Sequence, residues 1–127
     1  MAASRVPDAG EIVWLRFDPQ AGHEQAGHRP AVVLSPAAYN AKTSLMTCCP
    51  MTTQIKNYPF EVLIAGGESA GQRPANREIG APRVVPSVVL ADQVKSLDWR
   101  KRRAKRKGRV SAAELEEVRA KVRALIG

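Results

Sequence analysis

The sequence predicts a mainly β domain closed by a C-terminal helix. Short apolar stretches rich in β-branched residues, each cut off by proline or glycine, argue for several strands of a small barrel or an open, twisted antiparallel sheet. One clear helical pattern occupies the C-terminal end. The length of 127 residues suits one domain, taken as 1–127, and is too short for two ordinary ones.

The elements follow in order. Glu11-Ile-Val-Trp-Leu-Arg-Phe17 ends in Asp18-Pro19 and reads as a strand followed by a turn, with Val13, Leu15 and Phe17 on one face and Ile12, Trp14 and Arg16 on the other. A polar, glycine-punctuated loop is expected over 20–29. Pro30 then opens a second strand over 31–35, stopped by Pro36. Residues 45–49 and 60–64 read as further strands, each bounded by proline. Glycines at 66, 67, 71 and 80 and prolines at 74, 82 and 86 mark 66–86 as a long loop carrying Arg73, Arg77 and Arg83. Regular structure resumes at 88–90, and 94–99 continues or restarts the sheet. Ser111 with Glu114 three residues on forms a capping box, and Val110 can staple onto Leu115. From there Leu115, Val118, Val122 and Leu125 or Ile126 fall on one stripe, with Glu117 and Lys121 paired on the opposite side.

Composition narrows the classes. With 44% hydrophobic and 25% charged residues the chain is neither disordered, collagenous nor a disulfide scaffold, and no apolar run approaches the roughly 18 residues of a membrane span. Pro7 and Asp8 interrupt the N-terminus before a signal-peptide core could form, so the cytoplasm is the expected location. Cys48 and Cys49 are adjacent, cannot staple distant elements, and on a strand would face opposite ways, one in and one out. The net charge of +8 has one source: eight Lys and Arg between Arg100 and Arg109, with no acid among them. Such a run either attracts phosphate backbones or forms a solvated turn.

Three polar clusters are candidates for chemistry. His23, Glu24, His28 and Arg29 gather just before an apolar strand that would hold them. Thr52-Thr53-Gln54, with Lys56 beyond, follows the strand that ends at Pro50, where threonines either close a turn or face a groove. Asp92-Gln93 is either a buried pair bracing the sheet or a ligand-binding pair. No glycine-rich phosphate loop and no Gly-x-Ser-x-Gly turn is present, and two histidines five apart on a loop make a poor metal site. Cations, hydroxyls and one base acting on a polyanion suit metal-free cleavage of RNA, in which the substrate's own 2′-hydroxyl is the nucleophile.

The segments Gly10-Glu-Ile-Val-Trp-Leu-Arg-Phe-Asp-Pro19, Gly22-His-Glu-Gln-Ala-Gly-His-Arg-Pro-Ala-Val-Val-Leu-Ser-Pro36, Cys49-Pro-Met-Thr-Thr-Gln-Ile-Lys56, Tyr58-Pro-Phe-Glu61 and Leu90-Ala-Asp-Gln-Val-Lys-Ser-Leu-Asp-Trp99 resemble the MazF/PemK family of toxin endoribonucleases. The resemblance covers nearly the whole chain. It implies a homodimeric SH3-like barrel of the PemK/CcdB type. It further implies ribosome- and metal-independent cleavage of single-stranded RNA at short sequences, leaving 2′,3′-cyclic phosphate and 5′-hydroxyl ends, with no cofactor. An acidic antitoxin of the MazE kind would neutralise the toxin by threading an extended tail along the RNA groove, and contact with DNA would come only through that complex. The family's catalytic arginine falls on Arg29 and its threonine on Thr52, with Glu24 the first choice of base and His28 the second. Thr53, Gln54, Lys56, Gln25 and Lys42 are the expected RNA-binding residues. Residues 66–86 depart from the family's usual short turn. The alternative from another class is a non-catalytic toxin of the same fold that poisons DNA gyrase by protein contact.

Overall fold

The computed structural model describes residues 5–17, 27–64 and 86–127, and at positions 17, 27 and 28 the backbone alone. The order of elements is β1 (Glu11–Phe17), β2 (Gly27–Val33), α1 (Ala37–Thr43), β3 (Leu45–Thr52), β4 (Glu61–Ile64), β5 (Ser87–Leu90), a 3-10 turn (Ala91–Gln93), β6 (Lys95–Asp98), β7 (Lys105–Arg109) and α2 (Ala112–Ile126). The strands form one curled antiparallel sheet in the order β4-β5-β3-β2-β1-β7, with β6 also paired to β3. The expected mainly β fold with a C-terminal helix is therefore what the chain adopts. The expected long loop at 66–86 lies, apart from Pro86, outside the described residues.

The register accounts for the core. Ile12 pairs with Val32 and Val32 with Cys49, while Val13 pairs with Ala31 and Val33 with Cys48. Because side chains alternate across a strand, the first set feeds one apolar cluster and the second set another, on the opposite face of the sheet. Both cysteines are buried, one in each cluster, because both faces of the central strands are covered. This corrects the expectation that one of them would point outward.

The first cluster is closed by α2. Ser111 caps this helix as expected: its hydroxyl accepts the Glu114 N–H at 3.1 Å, and the Glu114 carboxylate accepts the Ser111 N–H at 2.9 Å. Val110, Leu115, Val118 and Val122 pack on the sheet, whereas Leu125 and Ile126 remain exposed, so the stripe seats only the first three turns. Lys121 donates to the Pro59 carbonyl at 2.7 Å and Arg123 pairs with Glu116, in place of the expected Glu117–Lys121 pair.

The second cluster is centred on Trp99, whose indole N–H donates to the Asn40 carbonyl at 2.8 Å. Asn40 is fully buried on α1, a helix absent from the sequence reading. Its amide donates to the carbonyls of Pro7 and Ser35 at 2.8 and 3.0 Å and accepts the Ser35 hydroxyl at 2.6 Å. The basic run forms a turn and then the edge strand β7, which pairs with β1. Part of its charge is engaged: Arg106 pairs with the buried Glu11, which also takes Arg5 from the N-terminal segment, Arg100 lies over Trp99 and Lys107 over Trp14.

The groove at the ends of β2 and β3

Two strands prove longer than the prolines in them suggest. β2 begins at Gly27 and β3 runs on to Thr52, so Gly27, His28 and Arg29 belong to a strand rather than to the preceding loop. The recorded β2–β3 register ends at Ala31 opposite Pro50, next to Pro30, where neither proline has an N–H to donate. Carrying that register two places further sets Arg29 opposite Thr52. On the other side, Thr52 is tied into the sheet through its pairing with Val88 of β5.

Beyond the two prolines the surface opens into a groove of about 340 Å³. Arg29 and Thr52 line one part of it, and Gln54, Lys56, Tyr58 and Glu61 another, with Leu90, Asp92 and Gln93 completing the wall. A smaller pocket of about 90 Å³ shares Arg29, Thr52, Leu90 and Gln93 with the groove and extends toward Lys95 and Leu97. The structure thus brings together Arg29, Thr52, Gln54 and Lys56 of the residues expected from sequence.

The β3–β4 connection is held by side chains. The Thr52 hydroxyl accepts the Gln54 N–H at 3.1 Å, which closes a turn and leaves the hydroxyl hydrogen available to a ligand. The turn and groove readings of this threonine are compatible. Glu61 accepts the N–H groups of Lys56 and Asn57 at 3.1 and 2.9 Å, and Asn57 adopts a left-handed φ of 59°. That bracket sets where Lys56 and Tyr58 stand. Glu61 and Tyr58 were visible in the sequence only as part of a motif, and no charge or spacing rule singled them out.

Asp92 and Gln93 are exposed and line the groove, so they are not a buried pair bracing the sheet. The 3-10 turn carries them because the chain must shift register between β5, paired to the end of β3, and β6, paired to its start. Thr53 is exposed beside the groove, and Lys42 is exposed on the last turn of α1; neither lines it. Glu24 and Gln25 lie outside the described residues, as does the side chain of His28, whose backbone stands in β2 opposite Arg16. Burial pushes the Cys48 thiol up to about 11 and the Cys49 thiol up to about 12, which makes both poor nucleophiles at neutral pH.

A family model described as the PemK-like, MazF-like toxin of type II toxin–antitoxin systems matches residues 8–126. The chain belongs to this family. This MazF-like chain is 50% identical to the endoribonuclease toxin MazF of Escherichia coli strain K12 over 127 residues, the whole of both chains. It is 34% identical to the Escherichia coli endoribonuclease PemK over 114 residues, 87% of this chain and 75% of that protein. Among solved structures it resembles the crystal structure of MazE–MazF from Deinococcus radiodurans with a TM-score of 0.79 and 50% identity, covering 97% of each chain. Among the described residues of the MazF-like chain, no helix is long and apolar enough to cross a membrane.

Proposed function

We propose that this endoribonuclease-family toxin cleaves single-stranded RNA at short sequences by transesterification, without metal or ribosome. The 2′-oxygen attacks the adjacent phosphorus, the bond to the 5′-oxygen breaks as that oxygen takes up a proton, and the ends are a 2′,3′-cyclic phosphate and a 5′-hydroxyl. One observation carries the reading: a guanidinium and a hydroxyl, Arg29 and Thr52, line the same open groove. Arg29 offers its planar fork to the scissile phosphate, and the Thr52 hydroxyl donates to one of its oxygens. Glu24, or His28 in its place, takes the 2′-proton. Gln54 and Lys56 hold the strand within the groove, and Thr53, Gln25 and Lys42 extend the contact.

An acidic antitoxin of the MazE kind fits the same groove, since a carboxylate-rich extended segment can occupy a cationic RNA path. The toxin acts as a homodimer in the cytoplasm, and it reaches DNA only as part of the toxin–antitoxin complex.

The test is incubation of the purified protein with a long, unstructured RNA in excess EDTA, with mapping of the cuts and chemical analysis of the ends. Recurrent cuts at one short sequence, bearing cyclic phosphate and 5′-hydroxyl ends and absent with Arg29→Ala, are expected. Full cleavage by Arg29→Ala refutes the mechanism. A folded protein that cuts no RNA points instead to a non-catalytic poison of gyrase, which has no use for Arg29 and Thr52 in one groove.

A further inference from the structure

Two carboxylates line the groove, and the described residues engage only one of them. Glu61 is engaged by two backbone N–H groups. Asp92 is exposed in the same groove, and its carboxylate makes no hydrogen bond or ion pair among the described residues. Gln93 beside it lines both the groove and the adjoining pocket. The backbone under the two is fixed: Ala91 is fully buried and donates to the Phe60 carbonyl at 3.0 Å, and Val94 packs against the core. A pair of polar side chains on a rigid turn is suited to positional discrimination.

The sign of the charge decides what they can meet. Arg29 and Lys56 attract phosphate, but a carboxylate opposes a phosphate at its own position and accepts only hydrogen-bond donors. In single-stranded RNA the donors are the ribose 2′-hydroxyls, common to every nucleotide, the ring N–H groups of guanine and uracil, and the exocyclic amino groups of adenine, cytosine and guanine; the amino groups are what tell these three bases from uracil. Uracil offers a single N–H between two carbonyl oxygens, which the carboxylate repels. The Gln93 amide, both donor and acceptor, can take the neighbouring atom of the same edge.

We propose that Asp92 and Gln93 form a base-reading pair that admits an amino-bearing nucleobase beside the scissile phosphate and rejects uracil there. The inference rests on the RNA-cleaving reading above and adds the chemical class of the base.

The experiment is cleavage of an RNA pool of randomised sequence by the wild type, Asp92→Asn and Asp92→Ala, with base composition read around every cut. The wild type is expected to disfavour uracil at least about tenfold at one position adjoining the cut. Both variants are expected to lose at least about fivefold of that discrimination at that position alone, the preferences elsewhere keeping their order. Wild-type tolerance of uracil at every position overturns the proposal, as do unchanged preferences in the variants. Equal slowing of all RNAs with an altered pH profile also overturns it, because it marks Asp92 as part of the proton-transfer machinery. A wild type that cuts no RNA refutes the nuclease reading itself, and is thereby told apart from the failure of base reading alone. Should the variants not fold, the wild type can be given RNA in which purine, lacking the amino group, replaces adenine at the disfavoured-uracil position. Cutting at least about fivefold slower is expected, and equal cutting overturns the proposal.

Discussion

Replacing Thr52 by valine exchanges one oxygen for a methyl group and leaves the shape of the side chain nearly unchanged. In the folded protein that oxygen accepts the Gln54 N–H at 3.1 Å, so its hydrogen is the part left to meet a phosphate oxygen. A hydrogen bond to a charged group contributes about 1.5–3 kcal/mol, which corresponds to a loss of roughly 10- to 150-fold in kcat/KM for Thr52→Val. The stability cost is smaller. Gln54 is exposed, water can replace the lost acceptor, and valine suits a strand, so unfolding free energy should fall by no more than about 1 kcal/mol. Thr52→Ser keeps both the donor and the acceptor, and its kcat/KM should stay within roughly threefold of wild type. The assay is single-turnover cleavage of a short RNA spanning a mapped cut site, run alongside urea unfolding of each variant. A valine variant as fast as wild type would refute the role given to the hydroxyl. So would a serine variant as slow as valine while equally stable.

Two further predictions concern the core. Asn40→Ala removes the three hydrogen bonds of a buried side chain, at about 1 kcal/mol each, and should lower the unfolding free energy by about 3 kcal/mol in a urea titration. Asn40→Asp should be worse, since it sets an oxygen against the Pro7 and Ser35 carbonyls; equal stability of the two variants would contradict the amide orientation. The cysteines should resist iodoacetamide at pH 8 in the native protein and react in denaturant. Their folded values of about 11 and about 12 lie above the ordinary 9.0, so below pH 9 both states hold the protons. Above it the unfolded chain releases them first, and stability should fall as pH rises from 9 toward 12, with the slope reduced in a Cys48→Ala variant.

Patterns confined to neighbouring residues were the most legible. The capping box at Ser111 and Glu114 and the alternation of Ile12 against Val13 and Leu15 in β1 depend on local periodicity and side-chain reach, and both appear as read. Arg29 and Thr52 came from motifs, and their shared groove follows from a strand register that no local pattern encodes. The prolines misled. Pro30 and Pro50 looked like strand ends but lie within strands, because sheet pairing on their other side continues: Pro30 opposite Trp14, and Met51 opposite Val89 beyond Pro50. Helix α1 spans seven residues, too few for a periodic stripe, and its anchor is a buried asparagine that composition rules would leave at the surface. The run from Arg100 reads as charge alone, and only the free edge of β1 turns part of it into a strand.

Strand β3 serves two ladders on one side, β6 at its start and β5 at its end, while β2 lies along the other. The groove wall that carries Thr52 is therefore continuous with residues buried in both apolar clusters. Displacing that wall would mean shearing the interior, so the described part of the groove behaves as a template of fixed shape rather than a hinge. Silencing such a surface calls for a competitor that fills it, and restoring activity requires only that the competitor be removed or degraded. If the proposed antitoxin is that competitor, the rate of recovery is set by the antitoxin's lifetime, with no rearrangement of the described groove wall.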